Sequence, residues 1–316
     1  MMAMIETVNL TKHYGDVVAL NDLNLSIREG ACFGFLGPNG AGKTTTIRIL
    51  ATLLKPTWGE ARVAGFTIGW QNQLIRPLIG YVPDIIGRYD DMLVSEYLEF
   101  FAACYGIHGS KRVKAVGDVL DLTDLIDAVH RPVAGLSRGM TQRLSIARVL
   151  LHDPKVLLLD EPASGLDPRA RVDIRSLLSE LHAMGKTILI SSHVLHELST
   201  LCDSVGIIEQ GALVFAGTID EAMAKVGSGR QIEIIVLDRA TEAGKSIADV
   251  HGVSRVQLRR EQGCETLVVT LHEAGAVDAS ELVSRLVTAG YRVQFVQPLE
   301  PDLETVFLKL TSGAVA

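Results

Sequence analysis

One stretch constrains this chain more than any other: Gly37-Pro38-Asn39-Gly40-Ala41-Gly42-Lys43-Thr44, which fits the pattern GxxxxGK[ST]. It follows the apolar run Ala31-Cys32-Phe33-Gly34-Phe35-Leu36 and opens a helical pattern over 43–54. That strand–loop–helix setting gives the pattern its meaning. Glycines let the backbone wrap tightly, so that N–H groups point inward at phosphate oxygens, and the helix start adds the positive end of its dipole. In such a loop Lys43 bridges the terminal phosphates of a nucleotide and the Thr44 hydroxyl ligates Mg²⁺. Gly185-Lys186-Thr187 and Gly244-Lys245-Ser246 share the ending, but Glu180 and Arg239 stand where the leading glycine belongs.

The surrounding pattern suits an α/β layer architecture. Short β-branched or apolar runs predict strands over 31–36, 156–160, 187–191 and 204–209, alternating with helices over 43–54, 94–105, 111–120, 138–151 and 169–184. Val156-Leu157-Leu158-Leu159 is apolar without alternation, as expected of a strand covered on both faces. In the helix over 138–151, Met140, Leu144, Ala147 and Leu151 fall on one face, with Arg143 and Arg148 off it. Near Gly227-Ser228-Gly229 the character changes, and this segment is the candidate linker. Beyond it Ile232, Ile234 and Val236 alternate, as do Tyr291, Val293 and Phe295. A strand over 267–271 and helices over 279–289 and 302–310 complete a small α+β domain. The expected division is thus 1–226 and 230–316.

Composition narrows the function classes. With 316 residues, 47% of them hydrophobic, each domain can bury a core and disorder is excluded. The net charge of −7 disfavours a nucleic-acid partner. No stretch approaches the roughly 18 apolar residues of a membrane span, and Met1 to Leu10 do not read as a secretory signal. Cys32, Cys104, Cys202 and Cys264 lack CxxC or metal-site spacing and read as buried or idle thiols of a reducing cytoplasm.

Further chemistry clusters downstream. Asp160 and Glu161 end the buried strand: Asp160 suits Mg²⁺, held through water, and Glu161 can polarise a water for attack on a γ-phosphate. His193, just past the strand over 187–191, can contact that phosphate and help position the water. Leu136-Ser137-Arg138-Gly139-Met140 opens a helix, where Ser137 and the Gly139 backbone can present donors to a second phosphate; a capped helix start is the plain alternative. Since this chain already carries one cradle, the second makes sense facing a partner's nucleotide.

These motifs in this order resemble the nucleotide-binding subunit of an ATP-binding-cassette (ABC) transporter, over about Ile5 to Asp220. The resemblance implies a P-loop cassette with a RecA-like core sheet, a helical subdomain and N-terminal antiparallel strands, followed here by the small α+β extension. It implies ATP hydrolysis with Mg²⁺, a head-to-tail dimer (two copies, or one paired with a second cassette) and two ATP molecules at its interface. On it, Tyr14 matches the aromatic that stacks on adenine, Thr45 extends the phosphate loop, Ser164-Gly165-Leu166-Asp167 matches the loop that communicates across the dimer, and His193 matches the switch histidine. Three residues depart from the family pattern. Asp84 stands where a glutamine is usual; it can still ligate Mg²⁺ but adds charge. Arg138 and Met140 replace a glycine and a glutamine of LSGGQ. Such variants, and the tail from Pro301 to Leu308, are similar to the exporter branch that pairs with ABC-2 type permeases, among them drug- or antibiotic-resistance and sodium-efflux subunits. The expected partner is then a permease on a separate chain. The subunit would sit on the cytoplasmic face of the membrane, associated with it through that partner only. The alternative is a soluble cassette ATPase acting on ribosomes or DNA. It fits poorly with one phosphate loop, no sustained heptad run and an acidic charge.

Overall fold

The structure, a computed structural model, describes residues 3–84, 87, 89, 91–194, 198–225, 231–261, 264–271 and 278–299. The chain divides into two compact units, one reaching Ile219 and the other starting at Asp220.

The first unit is built on two sheets. Strands β1 (Ala3–Tyr14), β2 (Val17–Arg28), β4 (Trp58–Val63) and β5 (Phe66–Thr67) form an antiparallel sheet in the order β2-β1-β4-β5. The second sheet contains β3 (Cys32–Leu36), β6 (Ile79–Val82), β7 (Val156–Asp160), β8 (Thr187–Ser192), β9 (Ser204–Glu209) and β10 (Ala212–Thr218), in the order β10-β9-β3-β8-β7-β6. Every pairing in it is parallel except β9 with β10. Because β8 lies between β3 and β7, their carboxyl ends open side by side, which is where α/β sheets bind ligands. All five residues of β3, and all five of β7, are buried, so these strands read as unbroken apolar runs.

Helix α1 (Lys43–Leu50) packs between the sheets: Ile47, Ile49 and Leu50 join one core with Leu10, Leu20 and Leu23 of the first sheet and Phe33, Phe35 and Leu158 of the second. The short α2 (Asn72–Ile75) precedes β6. Then come α3 (Val94–Cys104), α4 (Gly109–Leu122) and α5 (Arg138–Leu150), followed after β7 by α6 (Pro168–Ala183). Around α3, the rings of Tyr97 and Phe101 pack at a tilt of 57° with centroids 4.8 Å apart, and the Arg148 guanidinium lies over Phe101. Arg143 joins α5 to the turn after α4 and to α6 through Asp124 and Asp173, each at 2.7 Å.

The expected α/β cassette is the fold observed, with shifted ends. The helix over 43–54 stops at Leu50, because Thr52 turns to φ +62° and the chain doubles back with Leu53 N–H bonded to the Arg48 carbonyl. The helix over 111–120 extends to Gly109–Leu122. Cys32 and Cys202, distant in sequence, place their sulfurs 3.7 Å apart in the core, and the hydrogen bond between them, with burial, pushes the Cys202 thiol well up.

Helix α7 (Ile219–Lys225) leads into the second unit. There β11 (Gln231–Val236), α8 (Ala240–Ala248), β12 (Val253–Glu261), β13 (Cys264–Leu271), α9 (Ala279–Thr288) and β14 (Val293–Leu299) follow in turn. The antiparallel order β12-β13-β11-β14 makes this a βαββαβ unit of ferredoxin-like topology. Its core joins Ile232, Ile234 and Val236 to Ile247 of α8 and to Leu282 and Leu286 of α9. Sequence reading missed α8 and β12, and placed the last strand two residues early. The linker at Gly227–Gly229 and the helix over 302–310 lie outside the described residues.

Candidate nucleotide-hydrolysing site

The phosphate loop joins β3 to α1, and its shape is imposed by close neighbours. A side chain on Gly37 would place Cβ 2.4 Å from the Ile208 carbonyl oxygen. Gly42 sits at φ +107°, where a Cβ would lie 2.6 Å from the Ala19 carbonyl oxygen. Both positions therefore require glycine. The Ala41 carbonyl accepts from Gly211 N–H at 3.0 Å, tying the loop to the β9–β10 turn. No side chain caps the N-terminus of α1, so its leading N–H groups remain available to an anion. Pro38, Asn39 and Gly40 form the outer bend, and Thr44 and Thr45 lie in the first turn of α1.

Around this loop the strand ends assemble one network. Lys43 is buried (5% exposed), and its ammonium donates to the Gly37 and Pro38 carbonyls at 2.6 and 3.1 Å. It also lies 3.4 Å from Glu161 Oε1. That oxygen is buried and, apart from this ion pair, has no hydrogen-bond partner. The other carboxylate oxygen, Oε2, is 2.8 Å from His193 Nδ1. Asp160, 1% exposed, accepts from the Thr44 hydroxyl at 3.1 Å and from the Ser191 hydroxyl at 2.7 Å. Ser191 in turn accepts from Glu161 N–H at 2.9 Å. Glu161 holds φ +50°, an uncommon conformation for a residue with a side chain, and turns the chain sharply off β7.

The structure thus brings Lys43, Thr44, Asp160, Glu161 and His193 together, as the sequence motifs anticipated. It adds Ser191, which sequence reading placed only as part of a strand. The register supplies the reason: Ser191 pairs with Asp160 on one side and Phe35 on the other, so it sits between the two motifs. Asp84 joins the same field. Burial first, then the charges of Asp160 and Glu161, push its carboxyl above the usual carboxylate range, with His193 pulling it back. Its side chain is nonetheless exposed, so water screens much of this pressure.

The donor set fits Mg²⁺. Thr44 and Asp160 supply hard oxygens, with Asp84 a third candidate. Among the described residues no three acidic, histidine or cysteine side chains cluster tightly enough to hold a metal by themselves. That agrees with an ion held by one or two protein oxygens plus substrate phosphates.

Three predicted residues, Tyr14, Ser137 and Gly139, stand apart from this network. Tyr14 ends β1, is 46% exposed and lies under the Lys12 ammonium at 5.2 Å. Ser137 caps α5, its oxygen accepting from Met140 N–H at 3.3 Å. Gly139 is tight for a different reason from the loop glycines: a Cβ there would meet Ala170 Cβ at 2.8 Å, so it lets α5 approach α6. Met140 takes a 3.7 Å contact from Arg131 at its sulfur.

Comparison with known proteins agrees with this geometry. The "ABC transporter" family matches residues 20–164. Bacitracin transport ATP-binding protein BcrA of Bacillus licheniformis is 34% identical over 317 residues, covering 99% of both chains. Linearmycin resistance ATP-binding protein LnrL of Bacillus subtilis is 30% identical over 311 residues, covering 98% of both. Nod factor export ATP-binding protein I of Ralstonia nicotianae is 36% identical over 256 residues, or 81% of this chain and 75% of that one. Among solved structures, an ATP-binding subunit of an ABC transporter superposes with a TM-score of 0.64 at 28% identity, covering 71% of this chain and 93% of that one. A bacterial ABC transporter cassette solved as a dimer gives 0.61, also at 28% identity, over 68% and 99% of the two chains. The chain belongs to the ATP-binding subunits of ABC transporters and is an ATPase of that family.

Proposed function

We propose that this subunit drives an exporter whose pore is an ABC-2 type permease on a separate chain. Two cassettes, either two copies of this chain or this chain with a second one, close head to tail on ATP and reopen on hydrolysis. The relatives' names, linearmycin resistance and Nod factor export, support the direction of transport. Among the described residues no helix is long and apolar enough to cross a membrane. Association with the cytoplasmic face of the membrane then comes through the permease. The acidic charge argues against a nucleic-acid partner.

In this reading residues 37–45 hold the phosphates, Lys43 moves from its own loop carbonyls to the terminal phosphates, and Tyr14 stacks on the adenine. Thr44 and Asp160 hold Mg²⁺, with Asp84 as the third oxygen. Bound there, the ion would neutralise charge on the β- and γ-phosphate oxygens. Glu161 takes the proton of the attacking water, and His193, bonded to Glu161 Oε2, contacts the γ-phosphate and orients that water. Ser137 and the Gly139 backbone face the nucleotide of the opposing cassette. The Asp84 loop and the aromatic region of α3, where Tyr89, Phe100 and Tyr105 are each more than 40% exposed, would pass the motion to the permease. The division at 1–226 and 230–316 assigns the cassette to the first part and a dimerising or regulatory role to the second.

The observation that carries this reading is the buried carboxylate oxygen of Glu161, unpartnered except by Lys43, beside an uncapped helix start. Glu161→Gln should slow turnover by roughly 10²–10⁴-fold. The same variant should accumulate an ATP-stabilised dimer, visible by light scattering. Full-rate hydrolysis without dimer would refute the assignment.

A further inference from the structure

Cys32 opens β3, and Cys202, 170 positions further along the chain, ends a helical turn that begins at Leu198 and leads into β9. Two ties hold the cysteines side by side. The Cys32 carbonyl accepts from Asp203 N–H at 2.9 Å, and Cys32 N–H donates to Asp203 Oδ2, also at 2.9 Å. The turn itself lies on β3. Leu201 and Cys202 N–H groups both bond to the Leu198 carbonyl, and a Cβ on Gly34 would lie 3.0 Å from Leu198 Cδ1 and 3.3 Å from Cys202 Sγ. Cys32 is fully buried and Cys202 is 7% exposed. Their sulfurs, 3.7 Å apart, touch without a covalent bond. The nucleotide chemistry described above uses neither thiol.

We propose that Cys32 and Cys202 are a site of reversible oxidation, a dithiol that hydrogen peroxide converts to a disulfide locking the turn beyond His193 onto β3. Because the backbone already sets the two residues side by side, their sulfurs reach the bonding distance of about 2.0 Å through side-chain rotation and small shifts. Cys202 reacts first, since it alone has any exposure. Its hydrogen bond with Cys32, and then burial, keep it protonated, so the closed turn is inert and oxidation proceeds as the turn opens. The Cys202 thiolate attacks peroxide: the O–O bond breaks, one oxygen stays on sulfur as a sulfenic acid, and the other leaves with the thiol's proton as water. The Cys32 sulfur then displaces that hydroxyl, forming S–S and breaking S–O, and its own proton departs with hydroxide as a second water. Two thiols thus give two electrons and two protons to one peroxide. The ring so closed contains the phosphate loop, Asp160, Glu161 and His193. It restricts the unfolded chain and fixes the turn behind His193. His193 rests on Glu161 Oε2 at 2.8 Å and must shift to reach a γ-phosphate, so a fixed turn slows hydrolysis. That last effect rests on the role proposed for His193 above; the cross-link does not.

The test uses the full chain carrying Cys104→Ser and Cys264→Ser, treated with hydrogen peroxide and mapped by mass spectrometry of unreduced peptides. A peptide pair joined through Cys32 and Cys202, lighter by two hydrogens than its free parts, is expected. The thermal midpoint should rise by roughly 5–15 °C and ATP turnover should fall several-fold, both reversed by dithiothreitol. Adding Cys202→Ala should remove the joined peptide and both shifts, and Cys202→Ser serves as the second variant should the first fold poorly. Absence of the joined peptide at peroxide doses that oxidise the exposed Cys104 of the parent chain would overturn the proposal. So would a cross-linked chain whose midpoint or turnover is unchanged. If the reduced His193→Ala chain hydrolyses ATP at the parental rate, the role given to His193 has failed, a result distinct from either of these.

Discussion

Two helix starts in the first unit both invite a phosphate, and they are built in opposite ways. At α1 the chain enters through Gly42 in a left-handed conformation, no side chain caps the helix, and the loop is boxed in by Ala19, Ile208 and Gly211. At α5 the entering residue is Ser137, and its own hydroxyl already accepts from one leading donor, Met140 N–H. The first leaves its leading N–H groups uncapped inside a sterically fixed loop; the second has one of its donors taken by its own side-chain cap. The lone chain should therefore bind nucleotide at α1 only, with α5 contributing to a site it does not itself own.

The sharpest way to break that contrast is at Lys43. Lys43→Ala should weaken ATP binding by about a hundredfold and abolish turnover, measured by equilibrium binding and phosphate release. Gly42→Ala comes next: a Cβ at φ +107°, 2.6 Å from the Ala19 carbonyl, should lower stability by about 2–3 kcal/mol in urea unfolding and distort the cradle. Asp84→Asn should have the smallest effect. Because the folded-state pKa of Asp84 is raised, its charge opposes folding at neutral pH, and the penalty disappears as pH falls below the ordinary carboxylate pKa. The metal-free variant should thus melt about 1–2 °C higher at pH 7 and match the parent near pH 3.

Much of α1's site was legible in the sequence because its parts are contiguous. The loop from Gly37 to Thr44 declares itself within eight residues, and the Asp160-Glu161 pair and His193 gain their meaning from following it in order. Ser191 did not, since its role comes from the parallel register that sets β8 between β3 and β7, a long-range fact that local pattern cannot supply. The same holds for Gly139 against Ala170. In the second unit, Ile232, Ile234 and Val236 betrayed β11 by alternation. In α8 the apolar residues Ala243 and Ile247 are small or few, so a nine-residue helix left little trace.

The measurement that bears most directly on the difference between the two helix starts is made on Ser137→Ala. ATP affinity should be compared with the parent in the dilute chain, and ATP-driven dimerisation in the Glu161→Gln background. The account predicts unchanged affinity in the single chain and weakened dimerisation. A loss of single-chain affinity comparable to that of Lys43→Ala, with dimerisation affected no further, would contradict it.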